Sequence, residues 1–458
     1  MKKILFINPP NFPFTDKSIS IEPVDVLSIA SYIESLNYKV EFLDMDRNEQ
    51  TVKDLKLIDY THVVILFDYH IPLHTTQAQK EILEIIKICK KNKIKSIIGG
   101  KTSQYNPNEF LDSGVDAIIV GEMEFALKEL LEQDTWNNLD NICGVIFKHN
   151  GKIIRTKSRI NKINLDEIPK INRRLVDLNK YIDTRTILTS RGCFNKCTFC
   201  PVPSFWGNWR GKSVNLVVDE IEYLVKEYNQ KKILFLDDNA IVNRFRMQAI
   251  SEEIIKRKIK VYLGCLGTIS SIDRKTLEIM YKAGFRWIHY GIESADQNIL
   301  DDIKKGINIE QIRTIIKMTK KIGFRVRTSF IYDLPNITKE SLDKTNELLL
   351  ELEPDEIRIH FLTLKVGTKI YDDLSKKGER ISQYSQYIHS NKPNIKNTLS
   401  KEIILKKIKE LTCNLKKKNY LIIDDIKEFR DLDKLKEKNP NLKILTFCPL
   451  RYGLNWER

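Results

Sequence analysis

Three cysteines crowd into one eight-residue stretch of this chain, at Cys193, Cys197 and Cys200. Three thiolates spaced C-x3-C-x2-C on a loop can converge on three irons of a cubane iron–sulfur cluster. The fourth iron then has no protein ligand, and a substrate or cofactor can bind there. A structural zinc site usually needs two spaced pairs of ligands, and neither a second pair nor a nearby histidine is present. The spacing therefore predicts an iron–sulfur cluster with these cysteines as metal ligands and as residues required for catalysis.

The composition indicates a globular protein of several domains. A chain of 458 residues is long enough for two or three domains. Its eight cysteines are too sparse for a secreted disulfide scaffold. No apolar run reaches the roughly 18 residues of a membrane span, and two prolines interrupt the start too early for a signal peptide. We therefore expect a cytoplasmic protein with no membrane span.

The net charge of +15 invites a nucleic-acid interpretation, because clustered lysines attract phosphates. The lysines are instead spread along the whole chain and often lie beside acidic residues. This distribution favours a general compositional bias over a binding surface. We therefore expect no nucleic-acid partner, although part of the excess could serve an anionic substrate or cofactor.

Residues 1–140 alternate between strand-like and helix-like patterns. The short apolar runs are Lys3–Ile7, Lys39–Asp44, His62–Phe67, Ile94–Gly99 and Asp116–Val120. Five buried strands separated by helices predict a doubly wound, flavodoxin-like domain. Ligands of such a sheet bind at the carboxyl ends of its strands. The candidate binding residues at these ends are Asn8, Gly99, Gly100 and Glu122.

Residues 141–184 are expected to form a connector with a hairpin at Asn150-Gly151. A second β/α alternation then covers residues 185–375. Its strand candidates are Thr186–Thr189, Lys232–Leu236, Lys260–Gly264, Trp287–Gly291, Arg325–Ile331 and Glu356–Phe361. Six units are too few for a closed eight-fold barrel, so we predict a partial (β/α)6 barrel with its chemistry at the carboxyl ends. Residues 376–458 are expected to form a small, mostly helical C-terminal cap of unknown role, with one last strand candidate near Ile444.

The cysteine triad follows the first strand of this barrel and has an aromatic residue, Phe199, before its last cysteine. In this it resembles the signature loop of the radical S-adenosylmethionine superfamily. The resemblance implies a [4Fe-4S] cluster whose unique iron is chelated by the methionine amino and carboxylate groups of S-adenosylmethionine. It further implies that an electron from the cluster cleaves the sulfur–carbon bond, and that the resulting 5′-deoxyadenosyl radical abstracts hydrogen from a substrate. Phe199 would pack near the adenine.

Polar residues at later strand ends extend the resemblance. Asp237 or Asp238 could accept hydrogen bonds from the methionine ammonium group or cap a helix, and we select Asp238 as the candidate. Glu293 resembles the carboxylate that binds the ribose hydroxyls, and Arg327 could pair with the methionine carboxylate or form an ion pair. Relatives commonly carry Gly-Leu-Pro after the fifth strand, whereas this chain has Asp at position 333, which restricts close backbone approach.

A doubly wound domain before such a barrel resembles the cobalamin-binding subgroup of this superfamily. The segments Gly99-Gly100, Gly121–Glu124 and Trp209–Ser213 carry this second resemblance, which covers about residues 1–375. It implies cobalamin as a further cofactor. The lower-ligand motif D-x-H-x-x-G is not met, so His70 and His74 remain either cobalt ligands or ordinary loop histidines.

These observations predict a cobalamin-dependent radical methyltransferase that acts on an unactivated carbon. A radical rearrangement, oxidation or carbon–sulfur bond formation without catalytic cobalamin is the first alternative, and a nucleic-acid-binding iron–sulfur protein is the second. The expected partners are a small-molecule or peptide substrate and an electron donor such as flavodoxin or ferredoxin.

Overall fold

The computed structural model describes residues 2–10, 20–67, 76–100, 103–104, 106–136, 139–159, 163–376, 399–423, 439 and 441–446. His70, His74 and the end of the last apolar run lie outside these residues. Two large sheets, of seven and eight strands, organise the described part of the chain. No helix in these ranges is long and apolar enough to cross a membrane.

The first sheet begins with five parallel strands: β1 (Lys3–Asn8), β2 (Lys39–Asp44), β3 (His62–Leu66), β4 (Lys95–Gly99) and β5 (Ala117–Ile119). Their spatial order is β2-β1-β3-β4-β5, the order of a doubly wound sheet. Helices α1 (Val24–Ser35), α2 (Thr76–Lys91), α3 (Pro107–Ser113) and α4 (Met123–Glu132) pack against it. Alternate residues of β1 enter separate hydrophobic clusters, with Ile4 and Phe6 on one face and Leu5 and Ile7 on the other. Both faces of the sheet are therefore buried, as the apolar runs predict.

The hairpin at Asn150-Gly151 is present, but it belongs to the first sheet. Strands β6 (Val145–His149) and β7 (Lys152–Arg155) are antiparallel, and β6 pairs with β5. Both turn residues have positive φ, of 47° and 77°, as a tight two-residue turn requires. The first sheet thus extends to Arg155, and the connecting segment beyond it contains three short 3-10 turns.

The second sheet contains the six parallel strands of a partial barrel. They are β8 (Arg185–Ile187), β11 (Lys232–Phe235), β12 (Tyr262–Gly267), β13 (Phe285–Glu293), β14 (Arg325–Ile331) and β15 (Glu356–His360). The intervening β9 (Ser190–Arg191) and β10 (Arg210–Gly211) form a separate two-stranded pair. Two strands of the C-terminal segment, β16 (Tyr420–Ile423) and β17 (Lys443–Thr446), extend the sheet beyond β15. The C-terminal segment is therefore part of the barrel sheet.

Helices follow the barrel strands and cover the outer face of the sheet. They are α6 (Val214–Tyr228), α7 (Arg244–Lys256), α8 (Arg274–Lys282), α9 (Gln297–Asp302), α10 (Ile309–Ile322), α11 (Lys339–Leu352), α12 (Lys369–Lys376) and α13 (Lys401–Lys417). The short helix α5 (Val202–Trp206) instead buries Phe205 and Trp206 in a hydrophobic cluster of the first domain. Alternation along each strand places every second side chain in the core beneath these helices and the others on the inner face.

Helix α1 of the first domain also packs on the inner face of the barrel. Its Val24 and Leu27 join one buried cluster with Leu188, Leu234 and Trp287. Glu22, just before this helix, accepts a hydrogen bond from the Thr186 backbone at 2.9 Å. The two domains therefore share a hydrophobic core and a buried polar contact.

Candidate active site

The three cysteines lie on the cluster loop, residues 192–201, between β9 and α5. All three are free thiols and partly buried. Burial raises the pKa of Cys197 and raises that of Cys200 to about 12. The neighbouring Cys193 raises both pKa values further. Within the described ranges no three His, Cys, Asp or Glu side chains could hold a single metal ion. A cubane instead binds each thiolate on a different iron, and this donor set of three neighbouring thiols fits such a cluster.

The entry to the cluster loop is shaped by Gly192. Its φ of +86° is left-handed, and an added Cβ would lie 3.1 Å from the carbonyl oxygen of Asn208. The loop is held by backbone hydrogen bonds at Thr198, which donates to Ile303 and accepts from Ile370, each at 3.0 Å. Asn239 places its Nδ2 3.6 Å from Sγ of Cys193. Asn239 therefore lies beside the cluster loop, and the sequence pattern did not identify it as a candidate residue.

The two adjacent carboxylates after β11 have different surroundings. Asp237 is buried and accepts hydrogen bonds from the backbone and hydroxyl of Thr189 and from the hydroxyl of Ser190. It therefore holds the junction between β8 and β9. Asp238 lies beside the cluster loop and accepts a hydrogen bond from the Gly192 backbone at 3.2 Å. The environment favours Asp238 over Asp237 for the ammonium group, and that role stays a prediction.

Glu293 lies at the end of β13 beside two residues of the predicted site. Its Oε1 accepts a hydrogen bond from Nζ of Lys305 at 2.7 Å, and both side chains are buried. The same Nζ lies 5.9 Å from the ring centroid of Phe199. Glu293 has a φ of +75°, which costs a non-glycine residue about 1–3 kcal/mol and is found mostly at functional sites. Phe199 and Glu293 are thus brought together near Cys197. Burial is the main reason that the pKa of Cys197 is raised, and the negative charge of Glu293 raises it further.

Arg327 forms a buried ion pair on the inner face of the barrel. Its Nε donates to Oε2 of Glu356 at 2.7 Å, and its guanidinium lies 4.7 Å from the ring centroid of Trp287. Glu356 also lies 3.9 Å from Nη2 of Arg325. Binding of the methionine carboxylate by Arg327 remains a prediction, and Glu356 would have to share the guanidinium.

The structure explains why an aspartate is found at position 333. It is fully buried, and its carboxylate accepts a hydrogen bond from the Leu362 backbone. The aspartate where relatives commonly have glycine therefore connects the end of β14 to the segment after β15.

The predicted residues of the first domain lie along the carboxyl edge of its sheet. Asn8 donates to Asp44 at 3.1 Å. Gly99 ends β4 and Gly100 follows it, and an added Cβ at Gly100 would lie 1.8 Å from the carbonyl oxygen of Phe67. A side chain is therefore excluded at Gly100, because the Phe67 backbone packs directly against it.

Glu122 has partners that the sequence pattern did not indicate. It accepts hydrogen bonds from Nη1 of Arg191 and from Nη1 of Arg210, each at 2.9 Å. Arg191 also pairs with Glu124, and all four side chains are at least four-fifths buried. Because Arg191 is two residues before Cys193, this network joins the first domain directly to the cluster loop. Direct binding of cofactor by Glu122 stays a prediction.

The barrel region matches a protein-family model, and longer parts of the chain are similar to known proteins. Residues 187–349 match the model of the radical SAM superfamily. An uncharacterized methyltransferase of Pyrococcus horikoshii is 29% identical over 81% of this chain and 82% of its own length. An anaerobic magnesium-protoporphyrin IX monomethyl ester cyclase of Synechocystis is 24% identical over 84% of this chain and 79% of its own.

One solved structure has the same fold over most of the chain. The radical S-adenosylmethionine methyltransferase TsrM of Kitasatospora setae, solved with cobalamin and a [4Fe-4S] cluster, is 16% identical and has a TM-score of 0.70. The match covers 82% of this chain and 75% of TsrM. The cysteine triad follows the first barrel strand inside the matched region. Residues 187–349, which contain the cysteine triad, are therefore a radical SAM domain, the domain type that uses a [4Fe-4S] cluster and S-adenosylmethionine, and most of the chain is similar to an uncharacterized methyltransferase in sequence and to TsrM in fold.

Proposed function

We propose that this enzyme is a cobalamin-dependent methyltransferase that acts on an unactivated carbon. The observation that carries the proposal is the buried contact of Arg191 with Glu122 and Glu124. Through it the carboxyl edge of the first sheet, where doubly wound domains bind their ligands, meets the cluster loop. A cofactor at that edge would lie beside the place where S-adenosylmethionine reacts.

The residues of the chain would bind and orient both cofactors. Cys193, Cys197 and Cys200 would hold the cluster. Asp238, Glu293, Arg327 and Phe199 would bind the ammonium, ribose, carboxylate and adenine of S-adenosylmethionine. Asn8, Gly99 and Gly100 would form the face on which cobalamin lies, in a domain of cobalamin-binding type. When bound, the cluster supplies an electron for cleavage of S-adenosylmethionine, and cobalamin supplies a carrier for the methyl group.

The relatives support methyl transfer and also give the main alternative. Both the Pyrococcus protein and TsrM are named as methyltransferases, and TsrM was solved with cobalamin. The Synechocystis relative is named as a cyclase, which is consistent with radical oxidation or ring closure by the same fold. We therefore propose radical oxidation without methyl transfer as the second candidate function.

The proposal also includes the cellular compartment, the electron donor and the kind of substrate. Free cysteines in the described chain, including the buried Cys89 and Cys265, are typical of a reducing compartment such as the cytoplasm. A flavodoxin or ferredoxin would reduce the cluster. The substrate would be a small molecule or a peptide.

Anaerobic reconstitution with iron, sulfide and hydroxocobalamin tests the proposal. After gel filtration we expect about one cobalt and about four irons per chain. With methyl-labelled S-adenosylmethionine and a reductant we expect both 5′-deoxyadenosine and S-adenosylhomocysteine. The matched control replaces the three cluster cysteines by alanine, which should remove iron and 5′-deoxyadenosine but retain cobalt. Iron and 5′-deoxyadenosine without retained cobalt would exclude the methyltransferase and favour radical oxidation.

A further inference from the structure

The edge of the barrel beside the cluster loop carries two exposed aromatic side chains. Phe194 is 58% exposed and Phe245 is 68% exposed, whereas every other Phe, Tyr or Trp of the described residues is buried or half-buried. Phe194 follows Cys193 directly in the cluster loop, and Phe245 lies at the start of α7. Both segments follow a barrel strand at its carboxyl end. The two most accessible rings of the described chain therefore lie on the side of the barrel that holds the cysteine triad.

The exposed ring of Phe194 is held in position by its neighbours. It packs against Trp209, with 5.7 Å between the two ring centroids. Trp209 in turn lies with its ring centroid 5.9 Å from the guanidinium of Arg246. Arg246 is one residue after Phe245, and its Nη2 donates to the backbone oxygen of Thr189 at 2.8 Å. One chain of contacts therefore connects the two exposed rings, and a partner would meet a preorganised surface.

Basic side chains surround the two rings. Lys196 in the cluster loop, Arg244 at the start of α7 and Lys275 at the start of α8 are exposed. The carboxylate beside them is Asp273, which lies 3.6 Å from Nε of Arg244 in a pair whose side chains are both 44% exposed. Such an exposed pair is weak, and both charges still face solvent. Three cations and one carboxylate give this edge a net positive charge.

The cluster loop contacts the α8 side of this edge as well as the α7 side. Asn195 places its Nδ2 3.4 Å from Oγ1 of Thr268, in the segment that leads from β12 to α8. At the start of that helix Arg274 pairs with Glu278 and leaves the charge balance unchanged. These contacts produce one basic and aromatic surface, which we name the cluster rim and which consists of Phe194, Lys196, Arg244, Phe245 and Lys275.

We propose that the cluster rim is the docking surface for the electron donor, and that this donor is a small acidic flavoprotein of the flavodoxin type. The inference rests on the proposed function, because it names the partner of the same site. An acidic partner surface is complementary to the cations of the rim, which would speed and orient the encounter. The planar edge of the flavin would lie on Phe194 and Phe245, because aromatic rings pack favourably on other rings. In this complex the partner's reduced flavin loses one electron, and the oxidised cluster gains it.

Calorimetric titration of oxidised flavodoxin into the anaerobically reconstituted enzyme tests the surface without turnover. The Kd should rise about ten-fold or more between about 50 and about 500 mM salt, because salt screens the attraction between exposed charges. At low salt Lys275→Glu should raise the Kd about five-fold or more. The matched control is Lys282→Glu, an equal change of charge at the exposed far end of the same helix, which should retain the wild-type Kd.

The reducing step is measured separately, as 5′-deoxyadenosine formed with reduced flavodoxin and with dithionite. Dithionite is a small reductant that needs no protein docking surface, so the ratio of the two rates reports docking. Phe245→Ser should lower this ratio about five-fold or more, because aromatic anchors contribute most to an interface. Leu405→Ser, which truncates an exposed apolar side chain on α13, is the control and should retain the wild-type ratio. Iron content and circular dichroism confirm that each variant is folded.

Several results would overturn the inference. They are the absence of flavodoxin binding at low salt, a Kd that does not depend on salt, equal effects of Lys275→Glu and Lys282→Glu, and a wild-type rate ratio in Phe245→Ser. Tighter binding of a ferredoxin than of the flavodoxin would overturn the assignment to a flavoprotein.

The same assays separate this inference from the proposed function. Cobalt retention and S-adenosylhomocysteine formation, with a wild-type rate ratio in Phe245→Ser, would refute the docking surface alone. A lowered ratio in a protein that retains no cobalt would refute the methyltransferase and leave the docking surface in place for the oxidative alternative.

Discussion

Nη1 of Arg191, the residue just before the cluster loop, lies 2.9 Å from Oε1 of Glu122 in a buried ion pair with the first domain. The Arg191 guanidinium also lies 5.0 Å from the ring centroid of Trp206. This pair fixes the cluster loop relative to the edge at which we propose that cobalamin binds.

Arg191→Gln should strongly destabilise the protein. The substitution leaves Glu122 and Glu124 buried with too little positive charge, at a cost of about 3–5 kcal/mol. Thermal unfolding should show a clear fall in Tm. Lys226→Gln is the control, because its pair with Glu222 lies at the surface, where solvent screens the charges. Equal Tm values for the two variants would show that the network contributes little.

Cys197→Ala should abolish 5′-deoxyadenosine formation and sharply reduce bound iron, because a cubane needs all three thiolates. Iron analysis and chromatography of the products measure both effects. Cys413→Ala, at an exposed cysteine of α13, is the matched control and should retain iron and activity. Full activity in Cys197→Ala would contradict the cluster assignment.

Glu293→Gln should weaken the binding of S-adenosylmethionine about ten-fold or more. Hydrogen bonds to a charged group contribute about 1.5–3 kcal/mol, and this substitution removes the charge facing Lys305. Equilibrium dialysis with the oxidised enzyme gives the Kd. Glu310→Gln on the surface of α10 should leave the Kd unchanged. An unaltered Kd in Glu293→Gln would argue against ribose binding.

Asn239→Leu should move the reduction potential of the cluster to a more negative value. Nδ2 of Asn239 donates toward Sγ of Cys193, and hydrogen bonds to cluster sulfurs raise the potential. A redox titration followed by electron paramagnetic resonance measures the shift in a variant with wild-type iron content. A potential equal to that of the wild type would show that this contact is too weak to matter.

His62 should make the stability of the first domain depend on pH. Burial is the main reason that its pKa is lowered from 6.5 to about 4, so the folded state keeps the ring neutral. Between these two values the unfolded chain binds a proton that the folded protein does not, and stability falls as the pH falls. The loss is about 3 kcal/mol across this window. Tm measured from pH 7.5 to 4.5 should decline less steeply in His62→Phe than in the wild type.

The repeated β/α pattern made both sheets predictable, because strands buried on two faces are continuous apolar runs. The cysteine triad could be identified as a candidate site because its three thiols are close in sequence. The pairing of β6 with β5 was not predictable, since an antiparallel edge strand carries no signal of which sheet it joins.

Contacts between distant residues could not be predicted. The sequence identified Glu122 as a polar residue at a strand end but not its partner Arg191, which is 69 residues away. Asp237 and Asp238 are neighbours in sequence, and only the positions of Ser190 and Gly192 distinguish their roles.

The shared core around Val24, Leu27 and Trp287 also limits how the enzyme can be rearranged. A barrel expressed without residues 1–140 would present this apolar face to water and tend to aggregate. A chimera that takes its first domain from a relative would need the matching inner-face residues of the barrel as well. We therefore expect the two domains to evolve together, so that a substitution in the core residues of α1 is accompanied by a matching substitution on β11 or β13.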